Sequence, residues 1–391
     1  MGTEGGSGGL TERAAVITVP VPPHTLVRLT ELDALRGIAA LIVLLHHAAQ
    51  LVPWARLIPD SPRLASLLQA ILYRTPLQVL ADGRQAVLFF FVLSGYVIVL
   101  GLRRTGSPGL LAFAVGRTVR LLLPVAVSVL LSLVAYVLFF DRTVIEAYRT
   151  HTLYMWWNPV DVWFVVKNVF LVVPDQEVRI NTVLWSLAHE WRLSILLPLV
   201  LAFRDRPVAV VAAGAVLCAG AVFVGTPQDR VMLDYSFLRS LAATAYFSLP
   251  VLIGAALALV APLRWPSQPG DRWAVTLTLL ALFSIESDIA YFAASALTIA
   301  LASVPGGFRN FLRHPLLAWL GRMSFSLYLV HVIVLVSLLH AMVSSVPLLV
   351  IAMTGTVLSL LAAAVFHRIV ERPSQVLARQ AQQVVGRTHA V

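Results

Sequence analysis

Leu32 to His47 reads LDALRGIAALIVLLHH, an apolar run broken, beyond Asp33, only by Arg36, His46 and His47. On a helix, the step from Arg36 to His47 is three turns plus about 20° and rises about 16 Å. Arginine and histidine therefore share a face, and His46, rotated by about 100°, looks elsewhere. A neutral imidazole can take the proton of a hydroxyl near neutral pH. A guanidinium fork suits a carboxylate or phosphate. The plainer alternative for His47 is an interhelical hydrogen bond.

A second polar set lies in Asn181 to Ser194, NTVLWSLAHEWRLS, where Ser186, Glu190 and Ser194 fall at i, i+4 and i+8 on one helix face. Glu190 could orient or charge-stabilise an imidazole, or it could pair structurally with Arg192 or an arginine of a neighbouring helix. Ser324, Tyr328 and His331 make a similar stripe. His331 fits a site residue and helix-packing glue equally well. The most basic connection carries Arg103, Arg104, Arg117 and Arg120 without an acid among them. Arg117 and Arg120, at i and i+3, could grip one anionic group, and charge that merely sets topology would look the same. No Walker loop, dinucleotide fingerprint or metal-ligand cluster is present.

What positions these groups follows from composition. Of 391 residues, 59% are hydrophobic and 12% charged, and mean hydropathy is +0.85. An aqueous fold cannot hide so much apolar surface, and disorder needs the opposite balance. The lone Cys218 excludes an intrachain disulfide. What remains is an all-α, polytopic membrane helix bundle. Apolar stretches near 20 residues predict about ten transmembrane helices: 33–52, 85–102, 120–140, 182–203, 207–225, 237–261, 272–285, 288–304, 324–343 and 348–368. Segments 64–80 and 153–174 read as interfacial, the latter with Trp156, Trp157 and Trp163 at headgroup level. Residues 1–28 read as a flexible tail without a signal peptide's apolar core, 29–375 as the membrane domain and 376–391 as a C-terminal tail.

With the N-terminus inside, the inner side carries 18 cations against seven acids, and the outer side ten against 11. That asymmetry puts both termini in the cytoplasm and accounts for the net charge of +10 without a nucleic-acid partner. Nearly all cations are arginine, a bias that points to a GC-rich bacterial gene and hence to a multi-pass protein of the inner membrane.

Six segments in order carry a resemblance: Arg36 to Leu41 running through to His47, Ala86 to Tyr96 (AVLFFFVLSGY), Arg120 to Pro124 (RLLLP), Leu184 to Leu187 (LWSL) with Glu190, Gly321 to His331 (GRMSFSLYLVH), and Glu371-Arg372-Pro373. From about residue 32 to 375 the chain resembles the acyltransferase-3 family of integral-membrane O-acyltransferases. The resemblance implies transfer of an acyl group, usually acetyl, from cytosolic acyl-CoA to a hydroxyl of a sugar, polysaccharide precursor or natural product. The family's first-span arginine and histidine correspond to Arg36 and His47, and its later arginine pair to Arg117 and Arg120. Leu88, where many relatives carry an acid, and His189, before the glutamate, depart from its pattern.

The expectation is that Arg36, Arg117 and Arg120 bind the donor's phosphates, with His47 as general base and Glu190 orienting it. Ser94 is a remote candidate for an acyl-serine, and His331, Tyr328 and Ser186 would support the substrate. The partners expected are acyl-CoA as a donor substrate, the hydroxyl-bearing acceptor and membrane lipid, with no permanently bound cofactor and no metal. The competing class is a proton-coupled transporter or flippase, which favours inverted repeats and broken helices; no such pairing is visible in the sequence.

Overall fold

The computed structural model describes Gly2 and residues 29–52, 61–73, 75, 78, 82–106, 108–144, 155–156, 160–172, 180–224, 237–262 and 269–388. The segment read as an N-terminal tail, Gly2 aside, lies outside them, as does Trp157. Every described element is helical, as hydrocarbon demands of a chain that must satisfy its backbone internally. In order they are α1 (Thr30–Gln50), α2 (Pro62–Tyr73), α3 (Gly83–Thr105), α4 (Leu110–Phe139), α5 (Val162–Val169) and α6 (Leu184–Leu196), which tightens into a 3₁₀ segment, Leu197–Phe203. Then come α7 (Pro207–Phe223), α8 (Phe237–Leu259), α9 (Pro269–Ser284), α10 (Asp288–Ser303), α11 (Gly307–Leu312), α12 (Pro315–Arg322), α13 (Ser324–Met342) and α14 (Leu348–Phe366). A π turn, His367–Glu371, leads into α15 (Arg372–Thr388).

Seven of the helical segments are long and apolar enough to cross a membrane, and three shorter apolar ones lie in α7, α9 and α10. Together they fall on the ten stretches expected from hydropathy. Their starts carry local signals: the Asp82 side chain caps α3 and Asp161 caps α5, while proline opens α7 and α12. Large apolar side chains such as Val137, Phe223, Leu238 and Leu361 point outward, which lipid tolerates and water would not.

The helices approach through small residues, as expected where lipid tails offer no hydrophobic drive for association. At the α3–α8 crossing a side chain on Gly95 would run into the Val251 carbonyl, and one on Gly254 into the Val92 carbonyl. Gly37 of α1 and Gly321 of α12 likewise meet backbone against backbone. We expect Gly95→Ala to destabilise the protein by about 1–3 kcal/mol or more, because two backbones must separate. Gly101→Ala, two turns away in open space, should be neutral or slightly stabilising. Thermal unfolding in detergent checks the pair; equal midpoints would show that the crossing is not tight.

Polar locks tie the bundle elsewhere. Glu31, buried at the start of α1, accepts from Arg309 at 2.8 Å and from Arg313 at 3.4 Å. Asp288 of α10 takes Arg84 of α3 at 2.6 Å and the Tyr246 hydroxyl of α8 at 2.5 Å. Two expectations change. Trp163 is exposed, but Trp156 is fully buried, its Nε1 donating to Ser132 and its ring packed on Tyr136 and His340. Its indole is amphipathic, and a buried hydroxyl serves its N–H as well as a headgroup would. The stretch read as a tail from residue 376 is helical through Thr388 and packs along α4.

Candidate active site

One cavity of about 320 Å³ opens among α1, α3, α4, α6, α12, α13 and α15. Five guanidinium side chains line it: Arg36, Arg117, Arg120, Arg322 and Arg379. Asp33, Glu190 and Glu371 also line it, with Ser94, Ser186, Ser324 and Tyr328 as its hydroxyls and Val87, Phe90, Phe91 and Phe325 among its apolar wall. Of the residues singled out by sequence, Arg36, Ser94, Arg117, Arg120, Ser186, Glu190 and Tyr328 are thus brought together. His47 and His331 are not part of this lining.

Most of the charges have partners. Arg117 Nη2 is 2.7 Å from Glu190 Oε1, and its Nε donates to Ser194 at 3.1 Å. Ser94 donates to the same Glu190 oxygen at 3.1 Å. The Ser186–Glu190–Ser194 stripe is real, and it faces α3, α4 and α13. Glu190 therefore engages an arginine of a neighbouring helix, the structural alternative open in the sequence, and its hydrogen bonds do not go to an imidazole. Arg192 turns to the Ser240 and Thr244 hydroxyls instead. His189 is buried against Thr244 at 2.9 Å, on the side away from the cavity.

Arg36 lies 3.9 Å from Asp33. Glu371 is occupied by three donors: Ser326 at 2.5 Å, His367 at 2.9 Å and Gln375 at 3.0 Å. Arg120, Arg322 and Arg379 make no hydrogen bond or ion pair with a described residue. Pro124 removes the helical hydrogen bond to the Arg120 carbonyl just past this cluster. Like charges around one hollow, three of them without a partner among the described residues, repel one another and favour an anionic ligand.

At the far end Tyr328 donates to Ser186 at 2.6 Å, since the Ser186 proton goes to the Val183 carbonyl. The Tyr328 ring meets Phe90 edge-on and packs on His331, with centroids 6.1 Å apart. His331 Nε2 is 3.1 Å from His47 Nδ1, joining residues 284 positions apart. The tautomers follow from the carbonyls around them, which can only accept. His331 Nδ1 is 2.8 Å from Leu327 O, so it carries the proton and Nε2 is the acceptor. His47 Nδ1, 2.9 Å from Val43 O, carries its proton too and shares it with His331. The lone pair of His47 is then on Nε2. His331, which the sequence left even between a site residue and helix-packing glue, holds that ring.

Sequence reasoning missed Arg322, Arg379, Glu371 and Gln375 as lining residues. Arg322 and Glu371 appeared only within motifs. The i, i+4, i+8 spacing of Glu371, Gln375 and Arg379 was visible, but it falls outside any apolar run and so carried no membrane signal.

A family model described as an acyltransferase domain matches residues 29–368. Over 312 residues the chain is 28% identical to a Bacillus subtilis (strain 168) protein named "Putative peptidoglycan O-acetyltransferase YrhL". The alignment covers 71% of this chain and 48% of that protein, so the chain spans about half the length of the relative it matches. No solved structure matches it.

Proposed function

This chain belongs to the acyltransferase-3 family, and we propose that it moves an acyl group, acetyl in the simplest case, from acyl-CoA to a hydroxyl of a carbohydrate or related acceptor. The observation that carries this is a cavity lined by five guanidinium groups, three of them without a hydrogen-bond or ion-pair partner among the described residues, and by Tyr328, which packs on the histidine pair. A donor with several phosphates and a slender thioester arm fits that polarity. The family relative's name points to peptidoglycan, a hydroxyl-rich sugar polymer, as one acceptor class.

In this scheme all ten apolar helices cross a bacterial inner membrane, with both termini and the arginine end of the cavity on the cytoplasmic side. The diphosphate of CoA lies on Arg120 and Arg117, with Arg36 beside them. Arginine forks suit phosphate, and partial enclosure limits screening by salt. Glu190 and Ser94 fix Arg117 in place. The pantetheine arm, on the order of 15 to 20 Å, compares with the ~16 Å helical rise from Arg36 to His47. It brings the thioester to Tyr328, whose ring packs on the histidine pair.

His47 Nε2 removes the proton of the acceptor hydroxyl as its oxygen attacks the thioester carbonyl. The C–S bond breaks, and the leaving thiolate takes the proton back from Nε2. His331 Nε2 accepts from His47 Nδ1–H throughout, so the imidazolium keeps a partner when it forms. The orienting part that the sequence suggested for Glu190 belongs here to His331. Purified protein incubated with radiolabelled acetyl-CoA and a bacterial lysate should transfer label to a sugar-containing acceptor. Absence of transfer, with the protein folded and a membrane-derived acceptor present, would overturn the scheme.

A further inference from the structure

Resting on the acyl-CoA donor proposed above, we infer that Arg379 binds the phosphate on the ribose 3′-hydroxyl of CoA and so selects CoA over its dephosphorylated form. Glu371, Gln375 and Arg379 repeat every four residues and all three line the cavity, so one face of the π turn and α15 forms part of its wall. That face is firmly held. α15 packs along α4, where Gly116 lets Gln382 and the Ala378 backbone come close.

Arg379 has no partner among the described residues. The nearest acid on its own face is Glu371, and that carboxylate already has its three donors. Eight helical residues also carry Arg379 about 12 Å along the axis from Glu371, away from the membrane-spanning α14. The order of depth then matches the donor. Its thioester lies by Tyr328, its diphosphate by Arg120 and Arg117, and its nucleotide end furthest out. The last anion on that end is the 3′-phosphate, a monoester with close to two charges and three acceptor oxygens, which a guanidinium can meet with two parallel N–H bonds.

The test is equilibrium binding of CoA and of 3′-dephospho-CoA to the full chain, purified in detergent. The unaltered protein should prefer CoA by about tenfold or more. Arg379→Gln should bring the two ligands within about threefold by weakening CoA while leaving dephospho-CoA unchanged. Arg379 is exposed, so the variant should unfold at the unaltered temperature, and Arg379→Lys should keep part of the preference as a point charge. Equal binding of both ligands by the unaltered protein would overturn this assignment and leave the donor standing, as would an equal loss for both in Arg379→Gln. Failure to bind either ligand would remove the donor itself, and this inference with it.

Discussion

Replacing His47 with alanine should lower acyl transfer by about 10²–10⁴-fold while CoA binding stays within a factor of two or three. A hydroxyl attacks a thioester poorly until its proton has somewhere to go, and His47 Nε2 is the lone pair that the hydrogen bonds of the histidine pair leave open. His47 is not part of the cavity lining, so the substitution removes nothing that would touch the proposed donor's phosphates. The contrast with His331 is informative. His331→Gln keeps an acceptor near the position of Nε2 and should retain more activity than His331→Leu, because Val43 O alone then holds the His47 proton. Turnover of radiolabelled acetyl-CoA, set beside CoA affinity for the same preparations, reads both quantities. Undiminished transfer by the alanine variant would sink the assignment of the base.

The second large effect separates two arginines that look alike in sequence. Arg120→Gln should raise the donor KM by about tenfold or more and leave folding intact, since its guanidinium faces the cavity without a described partner. Arg117→Gln should cost stability as well. It strands Glu190 partly buried, with only Ser94 to satisfy it, and removing one partner of such a pair costs about 3–5 kcal/mol when burial is complete and less here, where the pair is partly exposed. Adding Glu190→Gln to Arg117→Gln should recover much of that stability but not the donor affinity. Unfolding midpoints and donor KM for the four proteins check this. If Arg120→Gln leaves donor KM unchanged, the arginine serves topology and not binding.

Much of this protein was legible from its sequence because the decisive physics is local. A helix in hydrocarbon satisfies its backbone within its own segment, so runs of about 20 apolar residues locate the helices. Charged groups in or beside those runs are costly enough to be singled out, and Arg36, Arg117, Arg120 and Glu190 meet Ser94, Ser186 and Tyr328 in one cavity, which His47 and His331 do not line. What sequence left open was the choice of partner. Glu190 had an imidazole and two kinds of arginine to choose from, and packing of α6 against α4 gave it Arg117. His47 found His331 across 284 positions, a distance over which no periodicity speaks. Trp156 turned inward to Ser132, and a polar helix beyond the last apolar run became part of the cavity wall. Those outcomes depend on where small residues such as Gly95, Gly116 and Gly254 allow backbones to approach, and only the assembled bundle decides that.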